Sequence, residues 1–288
     1  MRIVFAGTSN FAVPSLRALV DANHNVVLVA TQPDRPAGRG LKLTPSPVKQ
    51  TAIELDLPLF QPERIRQADA IKKLREAEPD LLVVVAYGQI LPGELLRLGR
   101  FGAINVHASL LPRYRGPAPI AWSILNGDKE TGVTIMQMDE GVDTGEILAQ
   151  AAIPLLGNET VQELEATLSE LGARLLVKTL EQLERGEIQT RRQPEGASHA
   201  AKLVTDHGRL DEKLTATEID RRVRALTPSP GCWMDLQGES VKILAGHPDG
   251  KVDGGIPVQT TDGVYVVERV QPPGKKPMSA AEWLRGKR

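Results

Sequence analysis

The sequence predicts an α/β protein in two parts: an open sheet of mostly parallel strands, followed by a small antiparallel barrel or sandwich. Up to residue 189, runs of β-branched and aliphatic residues alternate with patterns of helical spacing, as in α/β domains. After a polar stretch, strand-like segments then follow one another closely, separated by turn residues. We therefore expect a first domain at 1–189, a linker at 190–205 and a second domain at 206–288.

The first domain begins with a strand, a helix and a second strand, predicted at Arg2–Ala6, Pro14–Ala22 and Val26–Thr31. This order is typical of a βαβ unit, in which the strands are parallel and the crossover is right-handed. Asp80–Ala86 contains a continuous apolar run, which suits a strand buried on both faces. The other elements expected here are helices at Pro47–Leu55, Ala68–Ala77 and Val161–Glu184, and strands at Gly102–His107, Val133–Met138 and Ile147–Ile153.

The second domain begins with a helix predicted at Thr215–Leu226. Short segments of alternating or β-branched residues follow it, bounded by Pro and Gly. The strands expected there are Cys232–Leu236, Ser240–Ala245, Ile256–Thr260 and Gly263–Val270.

Composition narrows the class of protein. The 288 residues are enough for two domains, and 41% hydrophobic with 25% charged residues is ordinary for a globular protein. Cys232 is the only cysteine, which excludes an intrachain disulfide and a cysteine-rich metal site. No segment approaches the roughly 20 apolar residues of a membrane span, so we expect a cytoplasmic protein without a membrane partner. The net charge of −1 gives no global indication of nucleic-acid binding.

Gly7 follows the first predicted strand and invites comparison with the dinucleotide-binding fingerprint. That fingerprint needs three glycines so that the backbone can approach a pyrophosphate, and only Gly7 is present. A tight strand-to-helix turn is the better interpretation.

Asn105 and His107 lie at the end of a predicted strand, two residues apart and therefore on one face. In open α/β sheets, ligands bind outside the carboxyl ends of the strands. An amide donor beside an imidazole suits acyl transfer, which needs a donor for the oxyanion and a group that handles a proton. A structural histidine at a strand end remains the alternative explanation of this pair.

Asp143 lies in an acidic, glycine-bracketed segment, Met138–Gly145, that also follows a predicted strand. Its carboxylate could accept from the His107 ring, fix the tautomer and favour the imidazolium. The alternative is a solvated turn; the segment has too few regularly spaced oxygen ligands for calcium. The scattered histidines give no metal-site pattern either, and we expect no metal.

Two glycine- and proline-rich basic segments, Pro33–Pro45 and Pro272–Pro277, have the composition of surface loops. Arginine and lysine in such loops can hold phosphates, although most loops of this kind are only solvated. Lys287 and Arg288 have the character of a frayed tail.

Taken together, these motifs resemble those of the folate-dependent formyltransferases, over nearly the whole chain. The Asn-X-His segment with the following Ser-Leu-Leu-Pro is specific for the superfamily, whereas Arg35–Gly40 and the second domain narrow the resemblance to the tRNA-formylating branch. The matching segments are Val4–Thr8, Thr31–Gly40, Ala86–Pro92, Asn105–Gly116, Gly132–Asp139, Gly141–Gly145, Arg224–Leu226 and Gly274–Lys276.

The resemblance implies a Rossmann-like first domain and a C-terminal barrel of the oligonucleotide-binding kind. It also implies 10-formyltetrahydrofolate as the formyl donor and the α-amino group of initiator methionyl-tRNA as the acceptor, in an enzyme of translation initiation. Separately from the resemblance, we expect a monomer. By this resemblance Asn105 donates to the carbonyl oxygen, His107 stabilises the oxyanion and assists proton movement, and Asp143 holds His107.

The same resemblance assigns two sets of binding residues. The folate contacts it implies are Tyr87, Gly88, Ile90, Leu91, Ser109, Leu110, Leu111 and Pro112. Arg39 matches the family's basic loop residue that engages the acceptor stem. The full set of expected tRNA contacts is Arg35, Arg39, Lys42, Lys202, Lys275 and Lys276.

Some positions depart from the family pattern. Asp211-Glu212 stands where Asp-Trp is common, and Thr227–Pro230, with Ser229, replaces a usual Asn-Pro-aromatic-Pro. Within the family, the acceptor could instead be a small amine such as glycinamide ribonucleotide, an amino sugar or water. From other classes, an NAD-dependent dehydrogenase and a non-catalytic RNA-binding adaptor remain. The single glycine at Gly7 argues against the dehydrogenase. A non-catalytic adaptor would leave the placement of the trio Asn105, His107 and Asp143 at predicted strand ends without a purpose.

Overall fold

The computed structural model of this chain describes residues 1–37 and 42–286. All strands and helices expected from the sequence are present there, with ends that differ by a few residues at most. The helices are α1 (Val13–Asp21), α2 (Pro47–Glu54), α3 (Ala68–Glu76), α4 (Gly93–Leu96), α5 (Pro119–Leu125), α6 (Val161–Glu184), α7 (Ala216–Leu226) and α8 (Ala280–Arg285).

Strands β1 to β9 precede the long helix α6 and build the first part of the fold. They are β1 (Arg2–Gly7), β2 (Asn25–Ala30), β3 (Arg35–Ala37), β4 (Lys42–Thr44), β5 (Leu59–Phe60), β6 (Leu81–Val85), β7 (Ala103–His107), β8 (Glu130–Gln137) and β9 (Ile147–Pro154). Five further strands follow α7: β10 (Cys232–Leu236), β11 (Glu239–His247), β12 (Ile256–Gln259), β13 (Val264–Gln271) and β14 (Met278–Ser279).

The large sheet has seven strands in the order β5-β2-β1-β6-β7-β8-β9, and its first four pairings are parallel. β7 and β8 are antiparallel, which confirms an open, mostly parallel sheet. The chain leaves β1 toward β2 and β5 and then returns to the other side of β1 at β6. The topological switch point therefore lies between β1 and β6, where open α/β sheets bind ligands.

Burial explains the continuous apolar run in the sequence of β6. All five of its residues are buried, because helices cover both faces of a parallel sheet. Leu82 and Val84 pack in the main core cluster with Val4 and Ala6 of β1.

Several short elements had no sequence signal that we used. They are β5, α4, α5, α8, β14 and the β3–β4 pair. Part of the predicted surface loop 33–45 is thus a two-stranded antiparallel ladder, in which Arg35 pairs with Thr44 and Ala37 with Lys42. Near the C-terminus, α8 includes a capping box between Ser279 and Glu282, which holds the chain in helix up to Arg285.

The chain divides into two compact units. The first consists of residues 1–116, 131–153 and 165–199, and it contains most of the large sheet. The second consists of residues 117–130, 154–164 and 200–288. Two segments that precede helix α7 in the sequence, 117–130 and 154–164, therefore belong to the second unit.

The second unit contains an antiparallel sheet in the order β10-β11-β13-β12, with β14 paired to β13. Register shifts at residues 243–246 interrupt the ladder between β11 and β13, and irregularities of this kind bend a strand and increase its twist. The result is a curled sheet, as expected for a small barrel-like domain. Helix α7 supplies Ile219, Val223 and Leu226 to its buried core.

Among the helices of the described residues, none is both long and apolar enough to span a membrane.

Candidate active site

The site is built on the carboxyl half of β7. Asn105 is half-buried and His107 is only 6% exposed, and both extend from the same face of this strand. β7 pairs in parallel with β6 and antiparallel with β8, where His107 lies opposite Thr134. A strand held on both sides fixes the direction of both side chains.

Asp143 lies beside Asn105 and His107 because of the path of the segment after β8, which strand order alone does not predict. We expected neighbouring strand ends to bring the three together, but β8 runs against β7, so its last residue Gln137 lies opposite Ile104 at the beginning of β7. The segment 138–146 must therefore fold back across the sheet face that carries Asn105 and His107. Gly145 allows this, because a Cβ there would lie 1.7 Å from the carbonyl oxygen of Gln137.

One carboxylate contacts both members of the pair. Asp143 Oδ1 lies 3.5 Å from Asn105 Nδ2, and Asp143 Oδ2 lies 3.6 Å from His107 Nδ1. Both distances are longer than a good hydrogen bond, whereas the backbone N–H of Gly116 donates to Oδ2 at 2.8 Å. The backbone of Gly116 thus holds the Asp143 carboxylate in place beside both side chains.

The other ring nitrogen of His107 is hydrogen-bonded. Its Nε2 lies 2.9 Å from the carbonyl oxygen of Tyr114. A carbonyl can only accept, so Nε2 carries a hydrogen and the Nδ1 edge faces Asp143 and Asn105. Both Tyr114 and Asp143 have positive φ, at 61° and 52°, a conformation that non-glycine residues keep only where their surroundings hold it.

Residues that the sequence did not single out hold the segment after β7. The Thr134 hydroxyl donates to the carbonyl oxygen of Ser109 at 2.6 Å and accepts from Leu111 N at 3.1 Å and from Gln150 Nε2 at 2.9 Å. All of its hydrogen-bonding capacity is used. In the sequence, the only indication of this role is that Thr134 is a polar residue inside an apolar strand. Threonine is too common in strands for this position to predict a site.

The predicted linker also contributes. Gln193 Nε2 donates to the carbonyl oxygens of Asp143 and Gly145, at 2.8 and 2.9 Å. Ser198 Oγ accepts from Tyr114 N at 2.9 Å. In the sequence these two polar residues were unremarkable members of a polar stretch, and nothing in the pattern distinguishes them.

The two expected folate-binding segments follow adjacent parallel strands. Residues 86–92 come after β6 and residues 109–112 after β7, so both begin at the same edge of the sheet, beside the switch point. Tyr87 is tied to this edge, since its carbonyl oxygen accepts from Thr8 Oγ1 at 2.8 Å and from Gln32 Nε2 at 3.0 Å.

Burial separates the expected folate contacts into two groups. The side chains of Tyr87, Leu91 and Leu111 are 2%, 7% and 3% exposed, so they pack in the core. Burial also raises the pKa of Tyr87 to about 12. Ser109 is buried as well and donates to the carbonyl oxygen of Arg113 at 2.6 Å.

The second group lies open to solvent or partly so. Ile90 is 88% exposed, and Leu110 and Pro112 are half-buried. Gly88 is exposed and has a φ of 81°, and a Cβ there would lie 2.5 Å from Gln32 Nε2, so only glycine fits without strain. An exposed isoleucine beside bare backbone is a surface that a planar, partly apolar ligand can cover.

The expected tRNA contacts lie in both units. Arg35 and Lys42 are exposed on the β3–β4 ladder, and Arg35 forms an ion pair with Glu63 at 3.2 Å. Arg39 lies outside the described residues. The other expected contacts, Lys202, Lys275 and Lys276, are exposed residues of the second unit.

The base of the β3–β4 ladder is anchored by Asp34. Its carboxylate accepts from Lys49 Nζ at 2.7 Å and from Gln61 Nε2 at 2.8 Å. These two hydrogen bonds lower the pKa of Asp34 from its ordinary value. The ladder therefore begins from a fixed point in the first unit.

Metal binding and nucleophilic attack by a cysteine are two other kinds of chemistry to consider in the described residues. In that part of the chain, no group of three or more His, Cys, Asp or Glu side chains could hold a metal ion. Burial raises the pKa of the Cys232 thiol to about 12, so this cysteine is not a ready nucleophile at neutral pH.

Comparison with known proteins gives consistent results. The profile of the formyl transferase family matches residues 1–180, and that of the formyl transferase C-terminal domain matches residues 202–288. The chain is 48% identical to a methionyl-tRNA formyltransferase of Halorhodospira halophila, over all of this chain and 96% of the relative. It is 44% identical to a methionyl-tRNA formyltransferase of Pelotomaculum thermopropionicum, over 99% of this chain and 96% of the relative.

Solved structures share the fold at low sequence identity. One is HypX from Aquifex aeolicus in complex with tetrahydrofolic acid, at a TM-score of 0.68 and 20% identity over 99% of this chain. The chain spans about half of HypX, 47% of its length. Another is an N-formyltransferase from Helicobacter canadensis in complex with folinic acid and dTDP-3-aminofucose, at a TM-score of 0.66 and 20% identity over 93% of this chain and 98% of that one.

Proposed function

The chain belongs to the formyl transferase family, and on that basis we propose that it transfers a formyl group from 10-formyltetrahydrofolate to the α-amino group of initiator methionyl-tRNA. The observation that carries this proposal is the 48% identity with a methionyl-tRNA formyltransferase over the full chain. Transfer to a small amine, an amino sugar or water is not favoured, because the relatives that match from end to end are named for the tRNA reaction.

The proposed chemistry is acyl transfer. The acceptor amine attacks the formyl carbon, and a tetrahedral intermediate forms with negative charge on the former carbonyl oxygen. The bond to the donor nitrogen then breaks. Over the reaction the amine loses one proton and the donor nitrogen gains one, so the site must stabilise an oxyanion and move a proton.

We assign the oxyanion contact to Asn105. Its Nδ2 carries two hydrogens, and only one of them can be directed at Asp143 Oδ1, 3.5 Å away. The other is available for the developing oxygen. A neutral amide suits this position because it donates without exchanging its proton.

We assign proton movement and further oxyanion stabilisation to His107. The ring is buried and held by Tyr114 through Nε2, which leaves its Nδ1 edge toward the carboxylate of Asp143. The negative charge of Asp143 stabilises the protonated ring when His107 takes a proton. Asp143 therefore serves as the residue that orients and supports His107.

For the donor, we propose a site along residues 86–92 and 109–112. This placement is supported by the position of both segments beside the switch point and by the exposed side chain of Ile90. The proposed contacts are Tyr87, Gly88, Ile90, Leu91, Ser109, Leu110, Leu111 and Pro112, of which Gly88 and Ile90 are exposed. No residue in this assignment requires a metal, and activity should persist in a chelator.

For the acceptor, we propose that the basic residues at 35–42 and the exposed lysines of the second unit bind tRNA phosphates. Phosphate contacts supply much of the affinity of proteins for nucleic acids and make it dependent on salt. We place this reaction in the cytoplasm, where initiator tRNA is used, and propose a monomer, which size-exclusion chromatography with light scattering would test.

A competition between acceptors tests the proposal. Purified protein is incubated with 10-formyltetrahydrofolate and charged initiator tRNA, charged elongator methionyl-tRNA, an amino sugar nucleotide or buffer alone. We expect formylated initiator tRNA and little product from the other acceptors. Formylation of a small amine, or release of formate, without formylation of initiator tRNA would contradict the proposal.

A further inference from the structure

Gln193 connects the two segments that enclose His107. Its Nε2 donates to the carbonyl oxygens of Asp143 and Gly145, at 2.8 and 2.9 Å. Its Oε1 accepts from Nε and Nη2 of Arg115, at 3.0 and 2.7 Å. One half-buried side chain thus forms four hydrogen bonds, two to each segment.

The bond to Asp143 falls at a strained point of the backbone. Asp143 has a φ of 52°, a left-handed conformation that an L residue keeps only when neighbouring groups hold it. Its carboxylate accepts from Gly116 N at 2.8 Å, while its carbonyl oxygen accepts from Gln193. Among the described residues, Gln193 is the side chain that donates to the carbonyl oxygen of Asp143.

The same stretch of chain holds the opposite segment. Ser198 O accepts from Arg115 N at 2.8 Å, and Ser198 Oγ accepts from Tyr114 N at 2.9 Å. Tyr114 is the residue whose carbonyl oxygen accepts from His107 Nε2. Residues 193–198, predicted as part of a linker, therefore support both sides of the imidazole ring.

We propose that Gln193 is a positioning residue for formyl transfer: it fixes the 143–145 backbone to Arg115 and so keeps the Asp143 carboxylate against Asn105 and His107. This inference rests on the proposed function. It predicts that changes at Gln193 act on turnover and leave the binding of both substrates unchanged, because Gln193 contacts Asp143, Gly145 and Arg115 and none of the proposed substrate-binding residues.

Two substitutions separate the donor from the acceptor half of this amide. Gln193→Ala removes all four hydrogen bonds. Gln193→Glu keeps an acceptor for Arg115 but places a carboxylate oxygen against the carbonyl oxygens of Asp143 and Gly145, which should displace this backbone. Glu195→Ala is the matched control, since Glu195 lies two residues away and is exposed.

The test measures initial rates while the formyl donor and charged initiator tRNA are varied separately, together with the melting temperature of each variant. Since a displacement of about 1 Å can cost roughly a hundredfold in rate, we expect kcat to fall on the order of a hundredfold in Gln193→Glu, and less in Gln193→Ala. Both KM values should remain close to those of the wild type, each variant should melt well above the assay temperature, and Glu195→Ala should behave like the wild type.

Hydrogen exchange of the 141–145 backbone amides gives a second measurement that does not depend on the acceptor. We expect faster exchange in Gln193→Ala than in the wild type and in Glu195→Ala. Unchanged kcat or unchanged exchange would overturn the inference, as would a loss of activity that follows unfolding or raised KM values. A wild type that fails to formylate initiator tRNA would instead refute the proposed function, while faster exchange in Gln193→Ala would still identify the positioning role.

Discussion

Asp143 Oδ2 lies 3.6 Å from His107 Nδ1, while the hydrogen bond that holds this carboxylate comes from Gly116 N at 2.8 Å. The backbone therefore holds the carboxylate, and the proposed role of Asp143 depends on its negative charge beside the imidazole. Asp143→Asn keeps the shape and an oxygen for Gly116 but removes that charge.

We expect Asp143→Asn to lower kcat on the order of a hundredfold or more, because the protonated form of His107 loses its stabilising partner. KM for the formyl donor should change little, since the proposed donor site lies along 86–92 and 109–112. Steady-state kinetics on initiator methionyl-tRNA checks both values. Asp139→Asn, in the same segment, is the control, and equal rates for the two variants would refute the role of Asp143.

His107→Ala should remove most turnover. Loss of one group that stabilises an oxyanion typically costs about a hundredfold to a thousandfold in kcat, and proton handling is lost as well. Binding of the donor, measured by isothermal titration, should be largely kept. His24→Gln serves as the control, because His24 is not one of the proposed site residues and its Nδ1 lies 3.5 Å from the amino group of Met1. Near-normal activity of His107→Ala would disprove the assignment.

The trio could be found in the sequence because its members stand in short polar motifs that interrupt apolar strands. Their route to one another could not be found, since it depends on the antiparallel direction of β8. Nor could the roles of Gln193 and Ser198 be predicted. Each lies about fifty or more residues from the backbone atoms it binds, in a polar stretch where local pattern carries no information.

The long elements of the fold were predictable because burial imposes a period on them. β6 is apolar throughout, and the aliphatic residues of α6 recur at helical spacing. Short elements such as β5 and α4 have too few residues to show a period, and tertiary contacts decide them. The ladder formed by β3 and β4 contains Pro36 and exposed side chains. Its composition therefore predicts a loop rather than strands.

The capping box of α7 gives a pH-dependent prediction. Hydrogen bonds from the backbone and hydroxyl of Thr215 lower the pKa of Glu218 from its ordinary value of 4.5. A lowered pKa in the folded state means that the charged form stabilises the fold above pH 4.5 and that this contribution is lost as the pH falls through the lowered value.

Glu218→Ala should therefore lower the melting temperature at pH 7, and the difference from the wild type should shrink as the pH falls below 4.5. Thr215→Ala should cost about 1 kcal/mol of stability at pH 7 through loss of the N-cap. Trp122, Trp233 and Trp283 all belong to the second unit, so tryptophan fluorescence follows its unfolding. Glu212→Ala is the control; an equal, pH-independent loss in Glu218→Ala would contradict the capping contribution.

Arg39→Ala tests the proposed basic loop. We expect a higher KM for initiator tRNA, with little change in kcat at saturating tRNA and in KM for the donor, because a phosphate contact contributes to binding rather than to bond formation. Lys49→Met tests the same loop from its base, where Lys49 holds Asp34, and should give a smaller effect in the same direction. An unchanged KM for tRNA in Arg39→Ala would remove this residue from the binding surface.

The exposed lysines that follow β13 make a separate prediction about salt. If Lys275 and Lys276 neutralise tRNA phosphates, the double change to alanine should weaken binding and should also lower the slope of log Kd against log salt, by about one for each phosphate that is no longer neutralised. Filter binding of charged initiator tRNA at several salt concentrations measures that slope. Lys251→Ala, also exposed and in the same unit, should leave it unchanged. Weaker binding at an unchanged slope would mean that the two lysines act on the fold of their loop, where Gln271 Nε2 donates to the carbonyl oxygen of Lys275 at 3.0 Å, and not on phosphate.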